Sequence, residues 1–392
     1  MKIETRAVHS GDRKKAGPQI PVTTPIHTAA SYFYDTTEQL DKVFGFEMPG
    51  YAYQRYDNPT NSALEEVLTS LEGGHGSLAT ASGMAALEIA LRIATQTRPH
   101  VILAADALYG ATIKLLHQVL EPLGFAVRFA DFCDLAAVER AIAETRPGCL
   151  LLETISNPLL RVAPVDTIAQ LARAAGAALV VDNTFATPLL VRPLELGAHF
   201  SVHSLTKYLS GHGDVLGGSV TCDAEHYDPL RAMGRVAGPL LGPFEAYLAM
   251  RGIKTFPLRM QRQCANAVRV AQWLAAHPRV ERVFFPAGPA HPDAEVIRRL
   301  LPAGQFGAMV SFEIRGASRL DVFSFMDRLK MIVRATSLGD VHSMLLYPWM
   351  SSHRDVPPEQ KARVGIRENL VRLSVGIEAP EDILSDLDHA IR

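Results

Sequence analysis

Residues 177–219 read AALVVDNTFATPLLVRPLELGAHFSVHSLTKYLSGHGDVLGGS. The segment opens on a near-continuous apolar run, AALVV, the pattern of a strand buried on both faces of a parallel sheet. It ends in Asp182, and a carboxylate at the end of a buried strand needs a partner to offset its desolvation. Lys207 follows 25 residues later, with Ser204 and Thr206 before it and Gly211, Gly213, Gly217 and Gly218 after it. A lysine amine, with a reference pKa of ~10.4, is a poor nucleophile while protonated. An imine with a cofactor aldehyde removes that obstacle, and pyridoxal phosphate (PLP) enzymes are the commonest users. Asp182 would then face the pyridinium nitrogen, and the two hydroxyls and the glycines would receive a phosphate. Each feature has a plainer reading, the aspartate as a turn cap and the lysine as an exposed side chain in a glycine-rich loop. The joint pattern is the more specific signal.

Working outward, the strand candidates SLATAS, VILAAD, FAVRFAD, CLLLETI, AALVVDN and GGSVTCD alternate with helices at about 84–95, 111–121, 134–145 and 166–175. That alternation predicts an α/β fold with a largely parallel, doubly wound sheet. Such sheets bind ligands beyond the carboxyl ends of their strands, so the residues at those ends carry the candidates. Gly83 and Met84 open a helix straight after SLATAS, a backbone phosphate site. Tyr109 follows VILAAD and can lie over a flat ring or simply pack, and Asn157 follows CLLLETI on a turn. Before the sheet, Ser62 with Glu65 reads as a capping box for a helix with Ala63, Leu64, Val67, Leu68 and Leu71 on one face, ended by Gly73-Gly74.

Residues 1–58 read as an extended arm, because prolines at 18, 21 and 25 resist a helix. Its aromatic and Arg55-bearing part, 44–60, is expected to pack on another subunit. A Gly- and Pro-rich stretch near 240–256 marks a boundary between a domain at 59–245 and a smaller α+β domain at 246–392. The latter has strands RVERVFF, AMVSFEI, SMLLYP and NLVRLSVGI, and helices at about 260–276, 319–330 and 381–391. Arg372, mid-strand in LVRLSVG, suits bidentate capture of a carboxylate.

Bulk properties exclude several classes. A chain of 392 residues exceeds one core, and a net charge of −2 gives no electrostatic case for nucleic acid or an anionic membrane. No apolar run reaches the ~18 residues of a membrane helix. The opening MKIETRAVHSGD lacks a signal peptide's apolar core, so a cytoplasmic protein is expected. Four separated cysteines fit reduced thiols. Histidines 199, 203 and 212 lack a carboxylate or cysteine at usable spacing, so no metal site is expected.

The motifs YQRYDNPT, ASGMAA, LYGAT, VVDNTFATP, SVHSLTKYLSGH, SLGD and VRLSVGIE span nearly the whole chain. With them the chain resembles the Cys/Met-metabolism (transsulfuration) group of fold-type-I PLP enzymes. That group includes cystathionine γ-synthase, cystathionine γ-lyase, cystathionine β-lyase, methionine γ-lyase and the O-acylhomoserine sulfhydrylases. The resemblance implies that Lys207 carries PLP as a Schiff base, Asp182 pairs with the pyridine nitrogen and Tyr109 stacks on the ring. It implies that Gly83, Met84, Ser204 and Thr206 hold the phosphate, joined by Tyr53 and Arg55 from a neighbouring subunit. Asn157, Ser337 and Arg372 would receive the carboxylate of a small amino-acid substrate. Tyr53 or Tyr109 would protonate the leaving group, in a homodimer or homotetramer with shared active sites.

The implied activity is elimination or replacement at the γ-carbon, of the cystathionine γ-synthase/γ-lyase type. Cystathionine β-lyase, methionine γ-lyase and O-acylhomoserine sulfhydrylase remain alternatives. So does another fold-type-I enzyme, such as an aminotransferase, or a non-catalytic PLP-binding protein. Two positions depart from family patterns. Ala111 stands where methionine γ-lyases usually carry cysteine, and His342 stands where many cystathionine-handling members carry glutamate.

Overall fold

The computed structural model describes residues 1–14, 19–288, 290–354, 356 and 358–391. Its larger sheet holds β1 (Gly76–Thr80), β2 (Val101–Ala105), β3 (Ala126–Ala130), β4 (Cys149–Glu153), β5 (Ala178–Asp182), β6 (Phe200–Ser204) and β7 (Gly218–Cys222). The strand order is β1-β7-β6-β5-β4-β2-β3. Strands β2 to β6 run parallel, and β7 lies antiparallel between β1 and β6. The apolar runs are buried as their composition demands: Leu179, Val180 and Val181 in β5 are fully enclosed, each worth about 1.5–3 kcal/mol of apolar burial.

Strand β6 was not among the sequence-based candidates. Its Ser201 and His203 hide a strand that is buried up to its last residue, and His203 Nε2 lies 2.5 Å from Glu72 Oε1 inside the core. The helix before the sheet, Pro59–Glu72, also starts earlier than the expected capping box. Its cap is Asn58, whose side chain accepts from the Thr60 and Asn61 N–H groups, with Pro59 in the first turn. Glu65, freed from capping, is largely but not fully buried and accepts from the Ala79 N–H at 2.9 Å and from Arg231 at 3.0 Å. The predicted end holds, with Gly73 left-handed at φ 72°.

Residues 1–58 are not uniformly extended. Short helices form at Ile3–His9 and Thr37–Phe44. The first of them buries Ala7 against Ala63, Leu64 and Val67, and an ion pair of 2.6 Å ties Asp12 to Lys254. Pro18 lies outside the described residues.

A second sheet, in order β10-β11-β12-β9-β8, contains β8 (Val280–Phe284), β9 (Met309–Ile314), β10 (Val333–Arg334), β11 (Met344–Leu346) and β12 (Leu370–Ser374). It is antiparallel except for the β10–β11 pair. The 21-residue helix Phe256–Ala276 contributes to the cores on both sides, with Met260 and Cys264 in one and Val270 and Leu274 in the other.

Candidate active site

A cavity of about 460 Å³ opens at the carboxyl ends of β4, β5 and β6. The strand ends place its walls. Asp182 ends β5 and Ser204 ends β6. The turn after β1 brings Ser82, Gly83 and Met84 to it at the start of the helix Gly83–Ala94, where the Ser82 side chain accepts from the Ala85 N–H. Gly83 sits tightly against Ser204: a β-carbon there would lie 3.0 Å from the Ser204 β-carbon. That close approach leaves backbone N–H groups at a helix N-terminus facing the cavity, a cradle suited to a phosphate.

Lys207 lines the same cavity, and its amine donates to Ser337 Oγ at 3.1 Å. Burial, with the nearby Arg372 charge adding to it, lowers this amine to about 8. Burial raises the Asp182 carboxyl above its ordinary range, while the Thr184 N–H at 3.0 Å opposes the shift. Thr184 also accepts the Ser204 N–H at 3.0 Å, so it links the two strand ends.

Arg372 reaches the cavity from β12. It is 3% exposed, its Nη1 donates to Asn157 Oδ1 at 2.8 Å, and its Nε has no partner among the described residues. Burial lowers the guanidinium to about 10, so it stays a cation at neutral pH with no carboxylate paired to it among those residues. An unpaired buried cation in a cavity wall calls for an anionic ligand.

Of the expected site residues, Gly83, Met84, Tyr109, Asn157, Asp182, Ser204, Thr206, Lys207 and Arg372 all line this cavity. Ser337 stands between the lining residues Thr336 and Leu338 and meets Lys207. The Thr206 hydroxyl already bonds to the Gly217 backbone, accepting its N–H at 3.0 Å. Tyr53 and Arg55 do not reach their own chain's cavity: Arg55 donates to the Arg235 carbonyl, and the Tyr53 ring is exposed. His342 is also absent from the cavity wall, with its ring bonded to Asp340 at 3.0 Å.

Sequence reasoning missed Glu153. It ends β4 in register with Asp182 and accepts the Tyr109 N–H at 2.5 Å and the Asn157 N–H at 3.2 Å. Burial, reinforced by the Asp182 charge, pushes its carboxyl well above the usual range. The rule that picked out Asp182, a carboxylate closing an apolar strand, picks out Glu153 in CLLLE equally well. Thr184 and Phe185 were missed too; both lie on the turn after β5.

The residues present fit PLP: a tight phosphate cradle, a buried carboxylate for a ring nitrogen, a lysine with a lowered pKa and an unpaired arginine share one cavity. The model of the Cys/Met metabolism PLP-dependent enzyme family matches residues 4–392. An L-methionine γ-lyase from Pseudomonas putida is 40% identical, over 99% of this chain and 96% of that protein. A cystathionine γ-lyase from Bacillus subtilis is 38% identical, over 100% and 99%. Among solved structures, cystathionine γ-synthase from Xanthomonas oryzae pv. oryzae in complex with aminoacrylate and cysteine superposes with a TM-score of 0.93. It is 34% identical, over 100% of this chain and 98% of that one.

Proposed function

The chain belongs to the Cys/Met metabolism PLP-dependent enzymes, and on that premise we propose that it eliminates or replaces the γ-substituent of a sulfur amino acid or an O-acylhomoserine. The observation that carries the reading is the meeting of Lys207, Asp182 and the unpaired Arg372 in one cavity. When bound, PLP supplies a carbon that captures the substrate amine and a ring that accepts the electron pair left at Cα. Gly83, Met84, Ser204 and Thr206 would hold its phosphate, with Tyr53 and Arg55 of a second copy. Asp182 would pair with its ring nitrogen and Tyr109 would pack on its ring.

Arg372 and Asn157 take the substrate carboxylate and so fix the direction of the Cα–H bond. Lys207, with an amine near pKa 8, is neutral often enough at physiological pH to take the proton from Cα and, once that proton has been passed to the bound cofactor, to take a second from Cβ. Ser337 orients that amine, and Tyr109 or Tyr53 gives a proton to the departing sulfur or oxygen. The shared site implies a homodimer or homotetramer. In it, residues 1–58 form a contacting arm, 59–245 the cofactor domain and 246–392 the smaller domain. The setting is cytoplasmic, where the four free cysteines stay reduced.

A second reading, methionine γ-lyase, is favoured by the cavity wall. Its carboxylates are Asp182 and Glu153, and both Glu153 oxygens are taken by backbone N–H groups. Among the described residues, no other acidic side chain lines the chain's own cavity to meet the distal ammonium of cystathionine. The test is the keto acid released by the PLP-loaded protein from L-cystathionine and from L-methionine. 2-Oxobutyrate from either supports γ chemistry, and its source selects between the readings. Pyruvate from cystathionine means β-elimination and refutes the proposal.

A further inference from the structure

The helix Phe256–Ala276 turns an unusual face inward. Arg259, Gln263 and Asn266, at i, i+4 and i+7, share one side of it, and all three are buried, Gln263 fully. Such a face is normally apolar. Here each side chain donates to main-chain carbonyls, and each reaches a different segment that carries a site residue.

Arg259 donates to the carbonyls of Tyr208 at 2.8 Å and Leu209 at 3.1 Å, directly after Lys207. It also reaches Gly252 at 2.9 Å. Gln263 Nε2 donates to the Asp340 carbonyl at 2.8 Å, three residues after Ser337. Asn266 Nδ2 donates to the carbonyls of Gly376 at 3.0 Å and Glu378 at 2.9 Å, just beyond Arg372. The three segments also lean on one another: Val341 N–H bonds to the Gly211 carbonyl, Ile377 N–H to the Val341 carbonyl, and Gly339 N–H to Ser374 Oγ.

Apolar packing has no preferred direction and tolerates sliding, whereas a buried donor left without its acceptor costs about 1–3 kcal/mol. Three such donors on one rigid helix therefore hold three loops at fixed mutual offsets. We propose that Arg259, Gln263 and Asn266 are positioning residues that set the register of Lys207, Ser337 and Arg372. The inference rests on the function proposed above for those three residues. It assigns to one helix face the alignment of the proton-moving amine with the carboxylate-binding guanidinium.

The test uses the full-length protein, both PLP-loaded and cofactor-free, with variants Gln263→Met and Asn266→Leu. Each keeps roughly the volume and removes the donor. Val270→Ala, a core truncation on the same helix, is the control for plain loss of stability. Gln263→Met is expected to lower kcat about tenfold with KM little changed, and Asn266→Leu to raise KM about tenfold, since small misplacements of reacting groups cost up to about a hundredfold. Val270→Ala is expected to lower Tm and leave both constants alone. In the cofactor-free protein, amide exchange at Val341 and Ile377 quickens in the two polar variants and not in the control. Kinetic constants that track only Tm in all three variants, or unchanged exchange at Val341 and Ile377, overturn the proposal. The exchange arm decides even if no sulfur amino acid is turned over, and if one polar variant fails to fold, the other is read alone.

Discussion

Replacing Gly218 by alanine puts a methyl group where the start of β7 touches the turn that opens the helix Gly83–Ala94. A β-carbon at Gly218 falls 2.6 Å from the Gly83 nitrogen and nearer still to the Ser82 carbonyl oxygen. Ordinary contact needs about 3.5 Å, so the turn must retreat by about 1 Å. Neither neighbour is a flexible side-chain tip; both are main chain, one of them a donor of the proposed cradle. Loss of one charge-assisted contact to a phosphate costs about 1.5–3 kcal/mol, which at ~1.4 kcal/mol per decade is a 10- to 150-fold weaker dissociation constant. The assay is titration of the cofactor-free protein with PLP, followed by absorbance of the bound form. Gly234→Ala is the control, since its β-carbon would meet only the Leu78 side chain at 2.9 Å, and its affinity should stay at the parent value. A folded Gly218→Ala protein that binds PLP as tightly as the parent would show that the phosphate does not sit at this turn.

Three further outcomes are expected. Arg231→Met strips the cation from Glu65 and Asp57, both bonded to Arg231 at a largely buried site; urea unfolding at pH 8 should show a loss of about 3–5 kcal/mol. Burial raises the Glu65 carboxyl to about 7, so the loss should shrink below that pH, where Glu65 takes up a proton. Lys207, lowered to about 8 by burial, releases its proton before an unfolded lysine at ~10.4 does. Between those values the unfolded chain binds more protons, so Tm of the cofactor-free protein should rise with pH across that window; a Lys207→Met protein that shows the same rise would assign it elsewhere. Finally, equimolar Lys207→Ala and Arg55→Ala proteins, each nearly inactive, should regain about a quarter of parental activity when refolded together, if sites are shared across a two-fold dimer. No recovery would place Arg55 in the site of its own chain or outside any site.

The parallel sheet and most of the cavity were legible because strand ends in an α/β fold are where ligands bind, and composition marks those ends. Asp182 was readable since a charge closing AALVV has few uses. Glu153 obeyed the same rule and was overlooked, because it acts through the N–H groups of Tyr109 and Asn157, which no residue pattern displays. Strand β6 was hidden by Ser201 and His203, whose burial depends on partners distant in sequence, such as Glu72. The true helix cap, Asn58, lay beside a plausible alternative in Ser62 and Glu65, and tertiary demand from Arg231 and Ala79 decided the role of Glu65. The helix Ile3–His9 rests on docking of Ala7 against Ala63 and Val67, again a long-range effect. The helix at about 260–276 was legible, but the inward turn of Arg259, Gln263 and Asn266 was not, because their acceptors are main-chain carbonyls distant in sequence.

The place of β7 between β1 and β6 has a consequence for the order of assembly. Thr80 pairs with Gly218, and Gly218 pairs with Ser204, so the two halves of the proposed phosphate cradle meet only after β1 has paired with β7, the strand that follows β6 and lies far from β1 in the chain. Such a long-range closure is slow to form, and no earlier intermediate offers the cradle. The cofactor therefore cannot nucleate folding and can only reward a finished sheet. In refolding, PLP should be captured with the last phase and should slow unfolding while leaving the folding rate unchanged.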